Sequence, residues 1–233
     1  MDFPTIFDLL DRVGLFRGLP GVVVLLLATF LIVAAWDMRL SLPALLSHYL
    51  IAGLLFVDVL DPRLAVVYAL AGIFVTAILA ITAWQVNWGR PPLGLTAQEA
   101  KRLNLPSRRT FGRVSIPDRS LVRLLLAGVV LVLALWLAST PSTLLPVIPD
   151  ELAYLEPAIA GLMGLGLVGA TTSVEPLPSG LGLLVAMTGF ELFYSLLDRS
   201  IAMTLALAAA NLVIALVISY LAQARYLPAD ILD

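Results

Sequence analysis

Residues 180–221 read GLGLLVAMTGFELFYSLLDRSIAMTLALAAANLVIALVISYL. Two apolar runs of transmembrane length, Gly180–Leu197 and Ile201–Leu221, are separated only by Asp198-Arg199-Ser200. A bilayer-crossing helix needs about 20 mainly apolar residues, and a three-residue connection forces the two helices to be antiparallel neighbours. The stretch therefore reads as a transmembrane helical hairpin.

Working outward, the same pattern recurs at Leu19–Trp36, Leu40–Val57, Leu64–Trp84, Leu121–Leu137 and, in its shortest form, Ala158–Ala170 with its flanks. The expected fold is all-α, a polytopic transmembrane helix bundle of about seven spans. Composition agrees: 61% of the 233 residues are hydrophobic and 13% charged, against roughly 45–50% and 25% in soluble domains, and mean hydropathy is +1.01. Cysteine is absent and histidine occurs once, as His48. Disulfides, thiolate-held zinc, iron–sulfur clusters, thiol catalysis and a bis-histidine haem held by this chain alone are thereby excluded. No cofactor or metal is expected.

Four regions follow. Residues 1–18 place Phe3, Ile6, Phe7, Leu10 and Val13 at helical spacing, with Asp8, Asp11 and Arg12 opposite, which reads either as an amphipathic helix lying in the membrane interface or as a disordered terminus. No basic n-region precedes the first apolar run, so no cleavable signal peptide is expected. Residues 19–84 form a three-span half, residues 85–120 a basic loop and residues 121–233 a four-span half. The loop holds Arg90, Lys101, Arg102, Arg108, Arg109, Arg113 and Arg119, seven of the 14 basic residues.

Basic loops stay on the cytoplasmic side. Counting from this one puts the N-terminus outside, the C-terminus inside and the acidic, Lys/Arg-free stretch Ala138–Pro157 outside. Trp84 and Trp88 then fall at the inner interface and Trp136 near the outer one, where indole rings settle. Within the loop, Thr96-Ala-Gln-Glu99 is a capping box that predicts a short helix to about Leu103, ended by Pro106. Arg102, Arg108, Arg109 and Arg113 are candidates for docking a partner or anionic lipid headgroups; the loop also reads as a topology signal alone.

An ionisable side chain inside a span is expensive and marks function. Asp37, Asp58, Asp61 and Arg63 fall at span ends. His48 lies inside the second span and reads as a neutral imidazole bonded between helices. Glu191 precedes Asp198 by seven residues, about 10 Å along a helix, so it lies within the membrane. Thr188, Glu191, Tyr194, Ser195 and Asp198 stand at relative positions 0, 3, 6, 7 and 10, one helical face. This polar stripe can hold water and pass protons; the alternative is a permanently neutral Glu191 that contributes packing specificity. The last run shows Thr204, Ala208, Asn211, Ala215 and Ser219 on one face, small and polar groups suited to close helix approach. Asn211 and Glu191 differ in depth by about one turn, so Asn211 is the expected partner. Glycines 161, 164, 166 and 169 in the fifth run suit close packing; they form no phosphate loop, and no Ser–His–Asp set can be assembled.

The segment Gly189-Phe-Glu-Leu-Phe-Tyr-Ser195, followed by Leu205–Leu221 and Ala222-Gln-Ala-Arg225, resembles the last two helices of the K subunit of complex I, the C subunit of multi-subunit Na⁺/H⁺ antiporters and the E component of hydrogenase-4-type complexes. In that family a three-helix unit runs from outside to inside and carries an acid in each of its last two helices, on an intramembrane proton or ion path. Glu191 matches the first acid. The second falls at or next to Asn211, which cannot ionise.

The resemblance implies a non-catalytic membrane subunit of a larger ion-translocating or respiratory assembly, of NADH:quinone oxidoreductase, hydrogenase-4 or cation/proton antiporter type. Its partners would be other membrane subunits and the bilayer, with no nucleic acid, in a membrane of prokaryotic cytoplasmic type. Two other readings stand beside it. A stand-alone small transporter, or a purely structural assembly subunit, would have the same composition, although a transporter predicts paired broken helices or an inverted repeat, neither of which is visible. A lipid-modifying membrane enzyme would use Arg108, Arg109, Arg113 and Asp118 at the inner interface.

Overall fold

The computed structural model describes residues 18–35, 37–89, 108–111, 114–117, 120–140, 145 and 148–226. The interfacial helix expected over residues 1–18, the capping-box helix at Thr96–Leu103, and Arg102 and Arg113 lie outside them, as do the side chains of Arg108 and Arg109. Among the described residues are seven α-helices: α1 (Leu19–Ala34), α2 (Met38–Phe56), α3 (Pro62–Gln85), α4 (Ser120–Ser139), α5 (Glu156–Thr172), α6 (Pro176–Leu197) and α7 (Ile201–Tyr226). Five of them, and α5 taken together with the 3₁₀ turn Asp150–Leu155 before it, are long and apolar enough to cross a membrane; α1, at 16 residues, is shorter. The chain is a multi-pass helical membrane bundle.

Helix starts follow local chemistry. The carboxylates of Asp37 and Asp61 accept the backbone N–H groups of Arg39 (3.1 Å) and Arg63 (2.8 Å) at the N-termini of α2 and α3, satisfying donors that have no intrahelical acceptor. Asp58, also at a span end, instead bridges two turns by accepting the Tyr154 hydroxyl at 2.6 Å. Tyr154 belongs to a 3₁₀ turn, Asp150–Leu155, that leads into α5. That turn and the α2–α3 turn are thus tied at one end of the bundle. Here too Glu156, 2% exposed, accepts the Leu145 N–H at 3.2 Å.

At the opposite end Arg123 of α4 donates to the Ala35 carbonyl just past α1 and to the Ser173 hydroxyl just past α5, each at 3.0 Å. A guanidinium with several fixed donors suits this role, and a cation is favoured where helix C-termini converge. After α3, Asn87 and Trp88 take left-handed φ values of 51° and 61°; the Arg39 guanidinium lies over the Trp88 ring, 5.2 Å from its centroid. Trp84 and Trp136, both expected at interfaces, are 73% and 63% exposed.

Between α3 and α4 the backbone forms a two-stranded antiparallel hairpin, β1 (Arg108–Phe111) and β2 (Val114–Pro117), pairing Arg109 with Ile116. This is an addition to the all-helical reading: the chain around the Gly112-Arg113 dipeptide pairs with itself, and the bundle proper remains α.

Packing is densest between α5 and α6, and α1 touches α2, α4, α5 and α6. The first helix is therefore central and its short length does not make it marginal. Gly166 and Gly182 explain the α5–α6 contact: a Cβ on Gly182 would collide with the backbone of Gly169 and Ala170, and one on Gly166 with the backbone of Ala186. Removing side chains lets the two backbones approach. By contrast α4 and α7 are the least buried of the long helices, with Leu125, Val132 and Val213 at 69%, 65% and 58% exposure.

Candidate functional site

Glu191 lies in the C-terminal third of α6, six residues before its end, and is 2% exposed; Asn211 faces it from α7, 1% exposed. The Asn211 Nδ2 donates to Glu191 Oε1 at 2.9 Å. The three-residue connection Asp198–Ser200 puts the two helices side by side, and their common depth does the rest. Glu191 Oε2 and Asn211 Oδ1 are buried with no hydrogen-bond partner among the described residues.

The rest of the stripe divides by depth. Thr188, one turn below Glu191, is fully buried; Ser195, one turn above, is 5% exposed; Tyr194 and Asp198 are half-buried toward the helix end. Glu191, Tyr194, Ser195 and Asp198 line a small cavity together with Phe56, Leu60, Tyr68, Met203, Thr204 and Leu207. Its volume, about 20 Å³, suffices for about one water. The cavity reaches from the buried carboxyl to the polar turn at Asp198, so one wall of the site is linked to the bundle end. Asp198 itself accepts the Ser200 N–H (2.9 Å) and the Ser200 hydroxyl (3.0 Å).

Residues from the N-terminal half complete the site, and sequence reasoning missed them. Tyr68 of α3 donates its hydroxyl to Thr188 Oγ1 at 2.9 Å, and Thr188 donates onward to the Leu184 carbonyl at 3.1 Å. The Tyr68 hydroxyl, whose proton is placed on Thr188, also stands beside the Glu191 carboxyl. Tyr49 of α2, fully buried, is close to both Thr188 and Glu191, yet its hydroxyl lacks a hydrogen-bond partner among the described residues. Gly72 makes room for it, since a Cβ there would collide with the Tyr49 ring. Phe56, Tyr68, Tyr49 and His48 then follow one another at ring separations of 4.3, 5.8 and 5.5 Å. A signal for Tyr68 existed: it shares a helical face with Gly72, Thr76 and Ala83, the small-residue face of its span.

His48 ends this aromatic row. Its Nδ1 is bonded to Thr29 Oγ1 of α1 at 2.8 Å, and its Nε2 is buried without a partner among the described residues. No group of three or more His, Asp or Glu that could hold a metal occurs among the described residues.

An acid in hydrocarbon is tolerable when neutral or when bonded. Here one oxygen is bonded by an amide, the other has no partner among the described residues, and Glu191 lines a water-sized space. Unsatisfied buried polar atoms are uncommon in native proteins and call for a physical reason, such as water, an ion or a catalytic role. Glu191, Asn211 and Tyr49 supply three of them within one cluster. No family model, curated protein or solved structure matches this chain.

Proposed function

We propose that this chain is a non-catalytic membrane subunit of a larger ion-translocating or respiratory assembly, in which Glu191 is a protonatable station on an intramembrane path. The observation that carries the reading is the unpartnered Oε2 of Glu191, an acid that lines a small cavity together with Asp198. Water in the cavity delivers a proton to Oε2, and Asn211 Nδ2 holds Oε1 so that the carboxyl stays aimed while its charge changes. Placing this acid on a helix that resembles the complex I K-subunit, antiporter C-subunit and hydrogenase-4 E-component family supports the assembly type, with other membrane subunits against the exposed faces of α4 and α7. The orientation that suits it has residues 85–120 on the cytoplasmic side.

Ion translocation by membrane vesicles carrying the intact assembly tests it. Glu191→Gln retains size and hydrogen bonding but cannot ionise, so coupled pumping should fall by at least about tenfold, the scale of a lost proton-transfer group, with subunit composition unchanged. Undiminished pumping by an assembled Glu191→Gln complex would remove the path from this chain. A chain that purifies alone as a stable, active transporter would remove the subunit reading.

A further inference from the structure

Away from the Asp198–Ser200 turn, beyond the Glu191–Asn211 bond, α6 and α7 leave an outward-facing groove of about 760 Å³ between them, within the range of ligand-binding clefts, roughly 300–1,000 Å³. Leu183 of α6 and Val213, Val217 and Leu221 of α7 line it, all of them exposed, together with Ala170 where α5 ends. Its floor is shut. A Cβ on Gly180 would collide with the Ile218 side chain, so α6 and α7 meet behind the groove and close it off from the bundle interior. Ser179, which also lines it, spends its hydroxyl on the Ala170 carbonyl at 2.8 Å. The walls are therefore apolar along their length.

One end is different. Arg225, in the last turn of α7, is the one charged residue among those described that line the groove, and its Nη1 donates to the Val174 carbonyl of the α5–α6 turn at 3.2 Å. That bond fixes the guanidinium at the groove's mouth. From the other side Arg123 bonds the preceding Ser173 hydroxyl, with Glu175 beside it. Two guanidinium groups and one carboxylate thus attend this turn. The N-terminus of α6 also opens here with no side chain capping it, and a helix start carries partial positive charge. The mouth favours an anion, and a planar guanidinium with five donors can bridge a carbonyl and a phosphate at once.

We propose that this groove binds one anionic phospholipid, with an acyl chain lying between α6 and α7 and the phosphate held at Arg225. Length supports a lipid. Val213 and Arg225, the limits of the groove on α7, are 12 residues apart, about 18 Å of helix, and one leaflet is half of a hydrocarbon core of roughly 30 Å. A transmembrane helix of a partner would need a seat of the full thickness, and helices dock on small residues rather than on walls of leucine and valine. Leu216 and Tyr220, on the adjoining exposed face of α7, do not line the groove, which leaves that face for other subunits. In the orientation proposed above the mouth lies in the cytoplasmic leaflet, where anionic lipids are concentrated. The site does not depend on whether Glu191 carries protons.

Native mass spectrometry of the full chain in mild detergent, titrated with phosphatidylglycerol or phosphatidylcholine of matched acyl chains, tests it. Wild type should retain phosphatidylglycerol about fivefold better, the scale of one basic side chain against an anionic lipid. Arg225→Gln should remove that preference and Arg225→Lys restore most of it, a rescue by charge that a merely structural role would not give. Val217→Trp, which fills the groove, should lower retention of both lipids several-fold, whereas Leu216→Trp, outside it, should leave retention at the wild-type level. Equal retention of the two lipids by wild type, or an Arg225→Gln chain that keeps the preference, overturns the proposal. So does a Val217→Trp chain that retains lipid as well as Leu216→Trp but loses another subunit from native membranes, since the groove is then a seam between proteins.

Discussion

Between Glu191 and Asn211 a single amide hydrogen bond sets the geometry of the buried acid. Asn211→Ala would leave both carboxyl oxygens without a donor and open a small void. Loss of a buried partner of a charged or neutral acid costs about 1–3 kcal/mol, and for a chain of this size that corresponds to a fall of several degrees in unfolding midpoint. Thermal unfolding in detergent measures it; Glu191→Gln, which retains an amide-compatible bond, should lie within about a degree of wild type by the same scale. Both residues were legible in the sequence because a lone carboxylate or carboxamide inside an apolar run has no cheap explanation. Tyr49 and Tyr68 were not. Tyr68, near the start of its run, already has an explanation as an interfacial residue, Tyr49 in mid-span reads as one more large core side chain, and Tyr68 meets Thr188 across 120 positions of sequence, a distance over which no periodicity carries information.

Among the elements, the α5–α6 contact has the least tolerance. Gly182→Val must push two backbones apart, since even a Cβ collides with the backbone of Gly169 and Ala170. Overpacking of this kind costs about 1–3 kcal/mol or more, expected as reduced folded yield and a lower midpoint in size-exclusion thermostability measurements. Gly128→Ala in α4 is the contrast: a Cβ there meets nothing within 4 Å, and the substitution should be neutral or slightly stabilising, as exchanging glycine for alanine in a helix generally is. The glycines of the fifth span announced close packing. Their counterpart Gly182 on the sixth could not be paired with them before the helices were placed. Helix existence was readable throughout from apolar run length, and the ends moved by up to five residues where capping or continuation beyond the apolar run decided them: α7 continues to Tyr226, past the apolar stretch that ends at Leu221. The 3₁₀ turn Asp150–Leu155 and its Tyr154–Asp58 bond were invisible, because an acidic loop carries no periodic signal to indicate which turn it will cover.

For the whole molecule, the seven helices and the basic segment give a topology that reporter fusions can read. Reporters active only in the cytoplasm should work when fused within residues 90–107 and fail within 141–147, and the two ends of the chain should lie on opposite sides. If both ends report the same side, α1 does not cross. That alternative is worth excluding because α1 has 16 residues, about 24 Å of helix, against roughly 30 Å of hydrocarbon. Yet it cannot be discarded to the surface, since Leu25, Leu26 and Thr29 are fully buried among its neighbours and Thr29 holds His48. A central helix that is too short must draw the two lipid leaflets toward each other, or gather protein around its ends. Arg123, bonded to the Ala35 carbonyl just beyond α1, gathers polar protein at one of those ends. The protein should therefore be most stable in thin bilayers, with its unfolding midpoint falling as acyl chains lengthen from 14 to about 20 carbons, a mismatch penalty of fractions of a kcal/mol per Å. The membrane itself, by its thickness, would then press on the helix that holds His48.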